Sequence, residues 1–228
     1  MLRISLFAIA LLPAIANASF STDQSIGTDV LKFDEHPNQE LTLGPVTLTA
    51  NSGALVSFTA SNSFEAAGFS GILYGLGTNG VWSNDAYSFA WVNGSEDGGY
   101  SSKMTFTFLS GPVSFVGGLI NYSPGEEGYY DAKAVSINAL GKNGNVLEAY
   151  SLEGIAPIRT PGQGNVGDFR GIARATADIY AFQIQGASVV RTISFSSSPS
   201  PVPEASAELL AVFGLATVFV LSSRGARA

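Results

Sequence analysis

Cysteine is absent from the 228-residue chain and histidine occurs once, at His36. Zinc fingers, iron–sulfur clusters, Cys–His nucleophile pairs and two-His metal helices are therefore excluded. A Ser–His–Asp site would have to use His36, and no disulfide assists the fold. Charge is scarce as well. Asp, Glu, Lys and Arg make up 13% of the residues, about half the usual share of ~25%. Acidic residues outnumber basic ones 18 to 11, for a net charge of −7. A chain so poor in Lys and Arg cannot release counterions from phosphates on a useful scale, so nucleic acid is not an expected partner. What is plentiful is apolar side chains, at 46%, and glycine, at 26 residues. That hydrophobic share excludes an intrinsically disordered chain, and at about 150 residues per domain the length suits one domain with extensions.

The extensions stand at the two ends. Arg3 is followed by an apolar run over residues 4–16 and then by Ala16-Asn17-Ala18. One early positive charge, a short apolar core and an Ala-x-Ala site form a secretory signal peptide, residues 1–18, cut after Ala18 by signal peptidase. Pro13 and the small residues that follow it speak against a buried N-terminal helix. At the other end, residues 196–203 read SSSPSPVP, an extended and solvated Ser/Pro stretch whose linker portion is 197–201. Residues 209–221, LLAVFGLATVFVL, carry no charge, and Arg224 and Arg227 close the chain. The apolar segment, about 206–223, is long enough for one short transmembrane helix at 1.5 Å per residue. The arginines act as a basic stop on the cytoplasmic side.

Linker, short motif, apolar helix and basic end, in that order, resemble the PEP-CTERM sorting signal of Gram-negative bacteria. The family's Pro-Glu-Pro motif, usually after Val, is matched here by Val202, Pro203 and Glu204, with Ala205 in place of the second proline. The resemblance covers residues 202–228. It implies that exosortase, a membrane-embedded cysteine protease or transpeptidase, reads the tail, and that Glu204 is central to recognition. The hydrophobic segment alone does not distinguish a cleaved helix from a retained anchor.

Between the ends lies a body, residues 19–196, with a pattern of period two. Met104, Phe106 and Phe108 alternate with Lys103, Thr105 and Thr107. Tyr180, Phe182 and Ile184 alternate with Ala181, Gln183 and Gln185, and Val135, Ile137 and Ala139 with Ser136 and Asn138. Such alternation marks half-buried strands. Further strands are expected at 29–34, 41–49, 55–60, 87–92, 113–121, 146–152, 168–174 and 189–196. Turn signals separate them, and Asn143-Gly144 marks a hairpin between 134–140 and 146–152. No sustained helical period occurs between the ends. The expected fold is all-β, an antiparallel, jelly-roll-like sandwich set between the signal peptide and the transmembrane helix. Residues 110–196 also look like the sandwich ectodomains common in PEP-CTERM proteins, which resemble carbohydrate-binding modules in general shape. Arg191-Thr192 stands where that pattern often has Asp-Asp, so the resemblance carries no metal role to this strand.

Several residues invite a chemical reading, each beside a plainer one. Residues 75–80 and 162–167 both fit G-x-G-x-x-G, yet neither is followed by a helical pattern, as a dinucleotide site requires; both read as turns. His36, beside Asp34 and Glu35, could serve as a base or ligand, but a single imidazole before Pro37 reads as a solvated turn residue. Glu126, Glu127 and Asp131 lie in or beside the loop SPGEEGYY, residues 123–130. They read as solvated carboxylates, as weak calcium ligands, or as a glycosidase pair if held at the required separation. Trp82, Tyr100, Tyr129 and Tyr130 adjoin Gly- or Asn-rich turns. If exposed, such rings stack on the apolar faces of sugars; otherwise they anchor turns onto the sandwich. Tyr87, Phe89 and Trp91 share one parity and read as core.

These readings predict an exported, exosortase-processed protein of the cell surface or extracellular matrix. It passes through an inner-membrane intermediate. It is expected to be non-enzymatic, to need no cofactor, and to associate with exopolysaccharide and biofilm. The rivals are a secreted carbohydrate-active hydrolase and a protein-binding adhesin, and sandwiches host all three.

Overall fold

The computed structural model describes residues 18–35, 44–61, 66–67, 74–82, 90–92, 102–124, 135–165 and 167–198. Its strands are, in chain order, β1 (Ala18–Ser21), β2 (Asp29–Lys32), β3 (Val46–Thr49), β4 (Leu55–Ala60), β5 (Ala66–Ala67), β6 (Tyr74–Gly75), β7 (Val81–Trp82), β8 (Ala90–Val92), β9 (Lys103–Phe108), β10 (Phe115–Tyr122), β11 (Ser136–Leu140), β12 (Val146–Ser151), β13 (Gln163–Asn165), β14 (Asp168–Arg174), β15 (Ala181–Gln185) and β16 (Ser188–Ser196). One helical turn, α1 (Leu152–Ile155), follows β12.

The strands form an all-β sandwich of two antiparallel sheets. The first runs β1-β14-β10-β16-β8-β5, and β2 shares the β8 edge of β16, end to end with β8. The second runs β12-β11-β15-β9-β4-β3. A small third sheet joins β6, β7 and β13, with β13 parallel to β7. Period two explains the second sheet. Met104, Phe106 and Phe108 are buried while Lys103, Thr105 and Thr107 are half-buried on the other face. Strands 55–60, 103–108 and 168–174 have the bounds that alternation and turn signals predict. The stretch expected at 29–34 is shorter, because Phe33–Glu35 close into a 3-10 turn. The β11–β12 hairpin turns at Asn143-Gly144 as expected, with Gly144 at φ 75°.

The core lies between the sheets. Phe58 and Phe106 of the second sheet meet at 5.4 Å between ring centroids, and Phe106 also meets Phe33 at 6.1 Å. Phe108 reaches across to Phe195 of the first sheet at 5.0 Å. Fully burying such a side chain contributes about 1.5–3 kcal/mol, so this layer stabilises the fold without any crosslink. The first sheet is covered on its outer face as well. Residues 22–28 cross it as a strap, and Ile26 packs with Phe115, Phe169, Ala173 and Leu119. Phe115 and Phe169 stack there at 6.1 Å.

Strand β14 turns two charged side chains inward. Arg170 and Arg174 share the inner face with Ile172, and both are buried. Arg174 lies at the open side of the sandwich. Its Nε and Nη2 donate to Asp178 Oδ1 and Oδ2 at 2.6 and 2.9 Å, and its Nη1 donates to Glu148 Oε1 on β12 at 2.9 Å. These bonds raise the Arg174 pKa further above its ordinary value, the Asp178 hydrogen bonds being the largest cause. Beside them Phe20 of β1 meets Tyr150 of β12 edge to face at 5.5 Å. One guanidinium thus ties the first sheet to the second.

Removing that tie leaves two carboxylates facing each other without a cation. Both keep some contact with solvent, so Arg174→Ala is expected to cost about 3 kcal/mol, the low end for a broken buried pair. That corresponds to a fall in Tm of roughly 6–12 °C for a domain of this size. Glu148→Gln should cost much less, because the bidentate Asp178 bonds remain; differential scanning calorimetry of both variants checks the order.

Candidate functional site

Two features combine polar groups with concavity or burial: a hydrogen-bonded hub around Asn79 and a cleft at one end of the sandwich.

The hub begins with the two glycine-rich motifs. Neither cradles a phosphate, because the first leads through the 3-10 turn Gly77–Asn79 into β7 and the second into β14. Instead they meet. Gly80 adopts φ 83°, and a Cβ there would stand 1.2 Å from the carbonyl oxygen of Gly162. Only glycine permits that contact, which brings β13 beside β7. The interlocked turns leave Asn79 buried, and its carboxamide must find partners inside the protein. Nδ2 donates to Asn121 Oδ1 at 3.0 Å, Tyr122 O at 2.9 Å and Ile158 O at 3.2 Å; Oδ1 accepts from Thr160 N at 3.1 Å. Asn121 Nδ2 donates to Thr160 Oγ1 at 2.8 Å. The Tyr122 hydroxyl donates to Glu153 Oε2 and accepts from Ile158 N, both at 2.9 Å. Arg159 pairs with Glu153, and Arg170 Nε donates to Ala156 O at 2.9 Å. The long loop that follows α1 is thereby held against β10 and β14. Burial, above all, raises the pKa of Tyr122. Every group in the hub answers another, so the hub positions backbone and offers no open ligand position.

The cleft is different. It has a volume of about 270 Å³ and lies where β16 leaves the sandwich, with Ser197 in its wall. The Phe108 and Phe195 rings and Val113 supply apolar lining, and Thr28, Ser52 and Ser110 supply hydroxyls. Among the described residues Asp29 is the one titratable residue in the lining. Its Oδ1 accepts from Val30 N at 2.9 Å and Ser52 N at 3.0 Å, and its Oδ2 accepts from the Ser52 hydroxyl. Ser110 Oγ accepts from Leu55 N at 2.9 Å. Leu55, also in the lining, is 42% exposed. A single carboxylate committed to a serine and two amides does not form an acid–base pair; the arrangement suits a small hydroxylated group resting on an apolar floor.

The residues singled out in the sequence fall as follows. Trp82 corrects the expectation of an exposed ring: it is buried at 1% and packs with Leu76, Val189 and Trp91. Its local Asn- and Gly-rich surroundings suggest exposure, but β7 lies between nearby β6 and sequence-distant β13, and its ring packs with Val189 of β16. Trp91 is half-buried against that same cluster. Ala18 opens β1, opposite Arg174. Ala16, His36, Tyr87, Phe89, Tyr100, Glu126, Glu127, Tyr129, Tyr130, Asp131, Val202, Pro203, Glu204, Ala205, Arg224 and Arg227 lie outside the described residues. Among the described residues no three His, Asp or Glu side chains form a metal-holding group, and no helix is long and apolar enough to cross a membrane. The Asn79 hub and the cleft escaped the sequence reading. The repeated glycine motif was the available signal for the hub, and nothing local signalled the cleft.

Tyr122→Phe should leave the buried Ile158 amide unpaired and cost about 1–2 kcal/mol. The raised folded-state pKa also sets a sign. Tyr122 contributes fully below its unfolded value of about 10, and that contribution is lost as pH rises through the higher folded value. Urea unfolding between pH 8 and 11 should show stability falling at the alkaline end, less steeply in Tyr122→Phe than in wild type.

Comparison of the chain with protein-family models, with curated proteins and with solved structures finds no match.

Proposed function

We propose that this is an exported, exosortase-sorted, non-enzymatic protein of the cell surface or extracellular matrix of a Gram-negative bacterium, associated with exopolysaccharide. The observation that carries the reading is the order of signals in the sequence: Ala16-Asn17-Ala18 after a short apolar run at one end, and a Ser/Pro linker, Val202-Pro203-Glu204, an apolar segment and a basic end at the other, with the two-sheet body between them. β1 opens at Ala18, the last residue of the signal peptide read from the sequence, and β16 closes at Ser196, immediately before the Ser/Pro linker. Cleavage after Ala18 leaves Ser19, Phe20 and Ser21 to pair with Ala173, Ile172 and Gly171, so the cut preserves the edge strand and the Phe20–Tyr150 contact.

The scaffold reads further as jelly-roll-like, since the chain alternates between the sheets at β8–β9, β9–β10, β10–β11, β14–β15 and β15–β16. The cleft, with one engaged carboxylate and several hydroxyls, favours binding over hydrolysis. Calcium has no part in this reading.

Intact-mass analysis of the product from its native host tests the route. The mature protein should lack residues 1–18 and everything after roughly 203–205. Glu204→Ala should leave unprocessed precursor in the inner membrane. Retention of residues 209–221 in the stable product would reduce the tail to an ordinary anchor, and normal processing of Glu204→Ala would remove the role assigned to Glu204.

A further inference from the structure

The outward face of the second sheet carries an unusual array. Register places Thr59, Thr105, Gln183 and Asn138 side by side across β4, β9, β15 and β11. The next row is Thr47, Ser57, Thr107 and Ala181, across β3, β4, β9 and β15. On the other side stand Lys103, Gln185, Ser136 and Ser151. Within the middle row Gln183 Nε2 donates to Thr105 Oγ1 at 3.1 Å and Asn138 Nδ2 donates to Gln183 Oε1 at 3.4 Å. These bonds fix the amides in orientation; Asn138 and Ala181 are buried, while Ser57, Thr59, Thr105, Thr107 and Gln183 are half-buried and Thr47 is exposed. The array holds hydroxyls and amides about 4.8 Å apart between strands and about 6.6 Å apart along them.

Charge marks the face off from the rest. The body between the expected processing sites carries 16 acidic and 8 basic residues. Yet across these three rows Lys103 is the one charged side chain, and it lies at the margin. Covering the rows therefore desolvates no carboxylate, and uncharged hydroxyls and amides are far cheaper to cover than ions. Aromatic, Met and Arg side chains, which enrich the cores of protein interfaces, are missing from them. The face is also continuous with the cleft: Leu55, paired with Thr49 at the end of the β3–β4 ladder, forms part of the cleft wall.

We infer that this face and the cleft form one elongated site for a neutral polysaccharide, whose chain lies across the Thr/Gln/Asn rows and whose end enters the cleft over Phe108 and Phe195. The rows supply donors and acceptors for sugar hydroxyls, directly or through water. The cleft supplies an apolar floor for a ring face. The net negative charge of the surrounding body disfavours acidic polymers within a Debye length of about 10 Å at 0.1 M salt. The inference takes from the matrix reading only its setting and does not depend on how the tail is processed.

Affinity gel electrophoresis of the native protein tests it, with hydroxyethyl cellulose and pullulan as neutral polymers, alginate as the acidic one, and a gel without polymer. Wild type should be retarded by at least one neutral polymer and less by alginate. Thr105→Ala and Thr107→Ala together should weaken that retardation fivefold or more, with the melting temperature little changed because both side chains are half-buried on the outward face and leave no buried donor unpaired. Lys142→Ala, in the β11–β12 turn, should have no effect. The inference is overturned if neither neutral polymer retards wild type, if alginate retards it more strongly, or if the double variant binds as well as wild type. It is overturned too if mobility falls with protein concentration in the polymer-free gel and the double variant abolishes that fall, since a second copy would then occupy the face. Intact-mass analysis stands apart: an uncleaved tail with intact glycan binding would contradict the processing route and leave this site standing.

Discussion

Face-to-face packing of two broad sheets, with Phe106 between Phe33 and Phe58, is the contact on which the remainder of the molecule rests. With no cysteine available, the apolar layer has to hold the sheets together by area and shape alone. A sandwich has open sides, however, where the layer thins and polar backbone meets water. The chain closes these sides with fixed polar contacts: the Arg174 grip on Asp178 and Glu148 at one side, and the Asn79 hub with Arg170 around the long loop. Each serves as a clasp whose geometry is set by hydrogen-bond direction, which an apolar contact cannot supply.

The same division explains what was legible in the sequence. Strand β9 is readable because Lys103 to Phe108 alternate without exception and both neighbouring strands are antiparallel, so local pattern and final burial agree. The β11–β12 hairpin is readable because Asn143-Gly144 carries its own conformational instruction. Trp82 escapes the local reading because its ring packs with Val189 of sequence-distant β16, as well as with nearby Leu76, and β7 is flanked by distant β13. Strand β14 is placed correctly at 168–174, but its inward arginines are not legible from it: Glu148 and Asp178 receive Arg174, and the carbonyls of Ala156 and Phe169 receive Arg170. Pairing partners of that kind lie in other segments and leave no trace in the strand's own alternation.

The candidate site divides along the same line. Each Thr-x-Thr or Gln-x-Gln segment, taken alone, reads as the wet side of an ordinary strand. Only the registers between β4, β9, β15 and β11 turn those separate residues into rows. Aromatic side chains near turns attracted the functional reading because a single residue can carry it. A surface built from many weak donors and acceptors is invisible until strand order is known, and here strand order departs widely from chain order.

The place of β16 has a mechanical consequence. This last strand is also the most deeply inserted one: it is bonded to β10 along one edge and to β2 and β8 along the other. Tension arriving through the C-terminal end would pull it along its own axis, loading both rows of cross-strand bonds in shear at once rather than peeling them one at a time. The exit point of the chain is therefore a place where the sandwich resists extension well, whereas the four-residue β1, paired among the described residues with β14 alone, would peel one bond at a time.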